Sequence, residues 1–316
     1  MKAIVYTEYG SPDVLELKEV VKPTPKNDEV LVKVYAVSAN AADLHLLRAD
    51  PFLVRLSSGF LKPKHTILGS DIAGRVEALG SNAKQFRPGD EVFGDISGCG
   101  WGGFAEYALA DVDSLGRMPD GLTFEGAAGL VVGGGTAWDG LVDHARLQAD
   151  EMVLITGAAG GVGSVAVQVA AALGARPLGA ASERNHDYLR GLGASEVFDY
   201  HVDDWVKQVL AVVPGGVDVL FDAVGGLTGD QAVGAVREGG RAIFLNGAPA
   251  RLGRGVVGES LDAEVNRQKL DEIGRLAEAG SLRPQIEAAL PFEQVRDALE
   301  RVAGRHTRGK IVLQIG

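Results

Sequence analysis

The stretch from Val153 to Gly163, VLITGAAGGVG, constrains this chain more than any other. Apolar Val153, Leu154 and Ile155 run into a glycine-rich turn, and the turn opens into SVAVQVAAAL, a helical pattern. A strand, a tight glycine turn and a helix present backbone N–H groups and a helix N-terminus to a pyrophosphate. The strict fingerprint lacks its first glycine, whose slot holds Ala158. Its later slots are Gly160 and Gly163, with an additional Gly161. A second strand pattern, Arg176 to Ala181, follows at the distance a βαβ unit needs. The bland alternative is an ordinary βα turn in some other α/β protein. The flanking elements favour a bound dinucleotide, and with it redox chemistry.

Bulk properties narrow the field. The chain has 316 residues, 46% hydrophobic and 23% charged, which suits a soluble globular protein of two domains. A net charge of −11 argues against nucleic-acid and anionic-membrane partners. Cys99 is the single cysteine, so neither an internal disulfide nor a cysteine-based zinc cluster can form. The opening MKAIVYTEYG alternates like a strand and lacks the features of a signal peptide. No window reaches the apolar length of a membrane span. The expectation is a cytoplasmic protein.

Up to about Asp120 the chain is crowded with strand signals. Met1 to Tyr6, Leu15 to Val20, Glu29 to Ala39, Asp71 to Leu79 and Phe104 to Ala110 read as strands, with a short helix over Ala42 to Leu47. Pro and Gly punctuation between them predicts an antiparallel, barrel-like β domain. From Thr123 the character changes. Phe124 to Ala145 is expected to be helical in pieces, interrupted by Gly133, Gly134 and Gly135. Strand and helix patterns then alternate: Val153 to Thr156, Val162 to Leu173, Pro177 to Ala181, Asn185 to Leu192, Glu196 to Asp199, Trp205 to Val212, Val217 to Asp222, Gly229 to Val236, Arg241 to Leu245. This predicts a parallel, doubly wound sheet. Arg251 to Ala263 is glycine-rich and poorly defined. Val265 to Ala279 and Pro291 to Ala303 read as amphipathic helices, and Lys310 to Ile315 as a last strand that returns to the first domain. The expected division is residues 1–122 with 261–316, and 123–260.

Several short motifs together resemble the medium-chain dehydrogenase/reductase superfamily, in particular its zinc-free quinone oxidoreductase (zeta-crystallin-like) branch. They are the opening MKAIVYTEYG, Asn40-Ala41-Ala42-Asp43, Gly69 to Val76, Arg87 to Val92, Gly103 to Tyr107, Ala158 to Gly163, and Gly309 to Leu313. The likeness covers essentially the whole chain. It implies an α/β architecture: a doubly wound parallel Rossmann sheet plus a GroES-like antiparallel β-barrel that carries the substrate. It also bears on metals. Zinc-dependent members place a Cys at Asn40, a His at Ser70 and a further ligand near Gly133. Asn, Ser and Gly are poor or absent ligands, so no metal is expected. Hydride addition to a conjugated acceptor remains open without one.

The resemblance also implies site residues. The acidic residue that binds the ribose 2′-OH in NAD-preferring members falls at Ser182, which cannot repel a 2′-phosphate. Arg184 can pair with that phosphate, and Tyr200 matches a position whose hydroxyl reaches it. NADPH is therefore the expected cofactor, although Glu183 could take the acidic role if the loop is shifted. The pyrophosphate is expected over Ala159, Gly160, Gly161, Val162 and Gly163. Ala223 and Val224 would line the adenosine and ribose path, and the backbone of Phe244, Leu245, Asn246 and Gly247 would face the nicotinamide. Thr136 would contact the nicotinamide end, or else cap a helix start. Asn40 would lie beside nicotinamide and substrate as the catalytic residue, or else cap the helix that follows. Asp43 reads as a structural partner, the histidines as surface residues, and Cys99 as incidental. The expected partner is a small-molecule quinone or conjugated carbonyl, with a homodimer formed through the nucleotide sheets. Three functions compete: quinone reductase; enone, alkenal or enoyl-thioester reductase; and an NADPH-binding protein with little turnover.

Overall fold

The computed structural model describes residues 1–253 and 255–316, with Ser57 described by its backbone alone. Chain order runs β1 (Lys2–Val5), β2 (Glu16–Glu19), β3 (Glu29–Ala39), α1 (Ala41–Arg48), α2 (Val54–Ser58), β4 (Asp71–Leu79), β5 (Glu91–Asp95), β6 (Tyr107–Asp111), β7 (Leu115–Arg117) and α3 (Phe124–Trp138). It continues with β8 (Met152–Thr156), α4 (Gly163–Ala172), β9 (Arg176–Ala180), α5 (His186–Gly191), β10 (Glu196–Phe198), α6 (Trp205–Val212), β11 (Val217–Asp222), α7 (Gly226–Ala232), β12 (Val236–Phe244) and β13 (Val257–Ser260). It closes with α8 (Arg267–Glu278), β14 (Ile286–Pro291), α9 (Val295–Ala303) and β15 (Lys310–Gln314). Two compact units result. One takes Met1–Val132, Val265–Gly274 and Pro284–Gly316; the other takes Gly133–Glu264 and Arg275–Arg283.

In the first unit, among the described residues, β1 and β2 form a two-stranded antiparallel sheet, and a larger sheet runs β14-β15-β3-β4-β5-β7 with β6 also paired to β3. All its pairs are antiparallel except β14 with β15. The strand β3 is the hub: it bonds β15 and β4 along its C-terminal half and β4 and β6 along its N-terminal half. Its sequence, EVLVKVYAVSA, is rich in β-branched residues, which suit a pleated surface covered on both faces. One face packs Val32, Val37, Ile72, Phe104, Leu115 and Leu313 into the main core. The other sets Ala36, Ala73, Phe93 and Val312 against Ala127, Ala128 and Val131 of α3 and Leu270 of α8. The small alanines let the helix approach closely.

Among the described residues the second unit holds a six-stranded, wholly parallel sheet in the order β10-β9-β8-β11-β12-β13. Renumbered within the unit, this is the doubly wound order 3-2-1-4-5-6, which reverses between β8 and β11. Its strands are near-continuous apolar runs, such as MVLIT and VDVLFD, because both faces are covered.

Four expectations need correction. α3 runs unbroken through Gly133–Gly135, because the run is buried and tertiary packing overrides glycine's low helix propensity. The poorly defined stretch from Arg251 contains a short edge strand, β13. β14 precedes the helix expected from Pro291, which starts only at Val295. The helix expected over Gly229 to Val236 ends earlier, and Val236 already belongs to β12.

Phe93 is fully buried between sheet and helices. Truncation to alanine should remove about 3–5 kcal/mol of stability, read as a lowered urea midpoint with an unchanged denaturant slope.

Candidate functional site

In the second unit the ends of β8, β9, β11 and β12 meet around the glycine corner. The tight turn after β8 is made by Gly157, whose φ of 60° is left-handed; the sequence reading sought this glycine one position later, at Ala158. The Ala158 N–H donates to the Ala180 carbonyl at 3.3 Å, and the Gly160 N–H to the Gly157 carbonyl at 3.0 Å. Gly163, the first residue of α4, is held against this turn so tightly that a Cβ there would stand 2.2 Å from the Gly157 oxygen. A helix of ten residues thus begins directly at the corner. The N–H groups of Ser164, Val165 and Ala166 donate back to the Gly160 and Val162 carbonyls, and the helix dipole favours an anion at this end. Ala159 is buried, while Gly160, Gly161 and Val162 are half-exposed.

A buried pair shapes the neighbouring turn. The Thr156 hydroxyl donates to the Asp222 carboxylate, and the same carboxylate accepts the N–H groups of Val224 at 3.1 Å and Gly225 at 3.1 Å. The Ala223 N–H donates to the Thr156 oxygen at 3.2 Å. This places Val224 against the corner, where its methyl stands 2.7 Å from a Cβ built on Gly157. From the end of β12, the Asn246 amide donates to the Ala223 carbonyl at 3.0 Å, and the Leu245 N–H to the Asp222 carbonyl at 3.0 Å. Thus Ala159 to Gly163, Ala223, Val224, Leu245 and Asn246 come together at the carboxyl edge, at the switch point. Gly247 continues that edge, exposed. Phe244 differs: its side chain is fully buried in the core, and its carbonyl is taken by the Leu261 N–H at 2.8 Å.

Next along the edge, Ser182 follows β9, and its oxygen accepts from the Asn185 amide at 3.1 Å. Glu183 and Arg184 are both exposed in the short turn that follows. Beside them, burial alone would raise the Asp199 carboxyl, but N–H groups of His201 and the Glu183 backbone outweigh it and hold the pKa below its usual value. The turns after β9 and β10 are therefore joined, with Tyr200 half-buried beside them. Thr136 lies buried in the last turn of α3, an interior position that rules out a helix-start cap.

In the first unit, the sheet face that packs on α3 changes character one pleat further along. Ala36, Ala73, Phe93 and Val312 give way to Ser38, Asp71, Asp95 and Lys310. Cross-strand register sets Ser38 opposite Asp71, and Asp71 opposite Asp95. Asn40 follows β3 and forms a capping box with Asp43 at the start of α1. Its Oδ1 also accepts from the Lys310 ammonium, and its Nδ2 donates to the Ser38 carbonyl at 3.3 Å. Lys310 is 7% exposed and lies 3.5 Å from the Asp71 carboxylate. Asp71 also accepts from the Ser70 hydroxyl at 3.0 Å and the Val132 N–H at 3.3 Å. Asp43 accepts the N–H groups of Asn40 and Gly69, each at 2.8 Å, the structural role expected of it. The sequence reading quoted Lys310 only within its terminal motif; a lysine inside a strand pattern reads as solvated, and its burial is set by contacts across the whole chain.

Burial pushes the Asp43 carboxyl up to about 7, aided by the Asp71 charge and opposed by its two backbone donors and Lys310. Burial and Asp71 likewise raise Asp95 to about 6, against the pull of Ser97 and Ser70. The Lys310 ammonium thus acts on two buried carboxyl groups, Asp71 and Asp43, while half-buried Asp95 stands opposite Asp71. The same arrangement does not suit zinc: Asn40 offers its oxygen to an ammonium, and Ser70 donates to Asp71. Among the described residues no group of three His, Cys, Asp or Glu side chains could hold a metal ion. The other residues weighed from sequence lie apart from this chemistry. His45 is exposed and bonds the Asp50 carbonyl at 2.7 Å. Burial raises the Cys99 thiol, which sits 3.4 Å from the Ser114 hydroxyl.

Two outcomes follow for experiment. Gly163→Ala should disrupt the corner, lowering both stability and dinucleotide affinity, read by thermal unfolding and fluorescence titration. Asp43 and Asp95 have folded pKa values above their unfolded ones, so between the two values the folded state binds more protons. Stability should therefore fall as pH rises from about 4 to about 7 and level off above. Asp95→Asn should flatten the part of that slope below about pH 6 in urea denaturation.

Comparison with known proteins agrees with both units. The alcohol dehydrogenase GroES-like domain model matches residues 26–120, and the zinc-binding dehydrogenase model matches residues 192–313. The chain is 34% identical to an NADPH-dependent alkenal/one oxidoreductase of Arabidopsis thaliana, over 99% of this chain and 79% of that protein. It is 30% identical to the human quinone oxidoreductase, over 99% of this chain and 97% of that one. The solved quinone oxidoreductase of Coxiella burnetii superposes with a TM-score of 0.88 at 30% identity, covering 100% of this chain and 99% of that one. With a doubly wound sheet, a GroES-like unit and relatives matched along nearly its whole length, the chain belongs to the medium-chain dehydrogenase/reductase family.

Proposed function

We propose that this oxidoreductase uses NADPH to reduce a quinone, with two domains: a dinucleotide-binding one around the glycine corner and a substrate-binding one around Asn40. The observation that carries the reading is the corner at the switch point of the sheet, with a serine and not a carboxylate at the end of β9. The fit is physical. Gly157 and Gly163 leave no room for a Cβ because turn and helix start pack directly on each other, while a Cβ on Gly160 would meet only the Gly157 oxygen at 3.3 Å, leaving its other side open to a ligand. Ser182 and Arg184 favour a 2′-phosphate over a bare hydroxyl.

When bound, the dihydronicotinamide supplies the hydride. The protein's own residues bind, orient and exclude. Ala159 to Gly163 hold the diphosphate, Ala223 and Val224 line the path beside it, and Leu245 to Gly247 and Thr136 serve the nicotinamide end. Asn40 offers an amide N–H to the acceptor. Positioning and water exclusion carry most of the rate. A second reading, reduction of alkenals or enones, is favoured by the 34% identity to an alkenal/one oxidoreductase. Both acceptors take hydride at a carbon conjugated to a carbonyl. The chain is further proposed to act as a cytoplasmic homodimer; no described helix is long and apolar enough to cross a membrane.

The test is steady-state oxidation of NADPH and NADH against quinones, alkenals, enones and enoyl thioesters. Quinones should give the highest kcat/KM with NADPH; preference for NADH, or no turnover, would overturn the reading. Arg184→Ala should raise KM for NADPH roughly tenfold to a hundredfold, the worth of one charge-assisted pair, and leave that for NADH unchanged.

A further inference from the structure

An asparagine side chain carries one acceptor and two N–H donors, and either end can face a ligand. Here the choice is made by a neighbour. Lys310 has donors only, so it can meet Asn40 only at Oδ1, and it does. One N–H of the same amide points to the Ser38 carbonyl at 3.3 Å. Among the described residues the other has no acceptor and is left for a ligand. We propose that Lys310 is a positioning residue: its buried ammonium fixes the Asn40 amide as a hydrogen-bond donor toward the acceptor's oxygen and strengthens that donor by polarising the amide. This rests on the reading of Asn40 as the residue beside the acceptor.

The lysine is locked in place. It opens β15, and the preceding Gly309 has a φ of 76°. A Cβ on Gly309 would stand 2.1 Å from the Gln285 oxygen, so the chain enters the strand along one path. The Lys310 N–H donates to the same Gln285 carbonyl at 2.8 Å. Asp71 supplies the countercharge, and the Ser70 hydroxyl and Val132 N–H hold Asp71. A cation against an amide oxygen draws electron density from the nitrogen, and hydrogen bonds in such a chain strengthen one another.

The chemistry needs such a donor. The acceptor gains a hydride, with its electron pair, at a conjugated carbon. The C=C π pair shifts to the bond next to the carbonyl, the carbonyl π pair moves onto oxygen, and that oxygen later takes a proton from water; the donor is left oxidised by two electrons. An N–H aimed at the oxygen as charge develops lowers the barrier, and removing one such donor costs on the order of 10²-fold in kcat.

The experiment compares wild type, Lys310→Met, Asn40→Ala, the double variant and Asn40→Asp. NADPH affinity is measured by fluorescence, kcat and KM by NADPH oxidation with a quinone. Nucleotide-free protein labelled with ¹⁵N-asparagine reports the Asn40 side-chain NH₂ pair by NMR, identified by its loss in Asn40→Asp. Lys310→Met should shift that pair, lower kcat about 10²-fold, and leave NADPH affinity unchanged. The double variant should be no slower than the slower single one. Unmoved amide resonances, a retained kcat, or losses that multiply would overturn the proposal. If Lys310→Met does not fold, Asn40→Asp decides: it keeps a partner for Lys310 but lacks the N–H, so a retained kcat overturns it and a loss of about 10²-fold supports it. Failure of wild type to bind NADPH would instead overturn the functional reading beneath.

Discussion

The strand β3 organises the first unit. Its backbone bonds three other strands, and its side chains face two cores. A strand so placed has almost no freedom of register, because a slip of one residue would exchange its two faces. That rigidity is inherited by the residues at its end. Ser38 and Asn40 stand on the face that has just packed alanines on a helix, so polar groups are carried into a buried setting by a strand that cannot shift to release them. Asp71 and Lys310 are the result, two opposite charges kept out of water by the geometry of the sheet.

The second unit solves a different problem with different means. Its sheet is held by buried aliphatic strands, and the ligand edge is made by turns. One buried carboxylate, Asp222, gathers a hydroxyl and two backbone N–H groups and so fixes the turn that abuts the glycine corner. Side chains there are small, and backbone geometry carries most of the information. In the proposed function the two units divide labour: one would present backbone to a phosphate, the other a polarised side chain.

Much of this was legible in the sequence. The periodicity of β3, β4 and α4 gave nearly their observed bounds, since strong amphipathic or apolar patterns leave one low-energy choice. The glycine corner was readable because glycine is needed where chain meets chain. What could not be read follows from tertiary context. The buried run Gly133–Gly135 looks like a break until packing covers it. β13 (VGES) and β14 (IEAALP) are short and largely exposed, with no strong periodic signal of their own. Gly157 was passed over because attention fell on the spacing of the later glycines. Lys310 escaped notice as a functional residue because a charge near the end of a chain has no local signature of burial.

The hydrogen bond between Asn40 and Lys310 closes a loop of 270 residues. Such a non-local contact carries a large loop-closure cost, unlike the local hairpins and βα units. Local opening of β14 and β15 would withdraw the ammonium and strand the Asp71 carboxylate inside the sheet. If Asn40 acts as proposed, competence depends on the pairing of the last strand, β15, with β3.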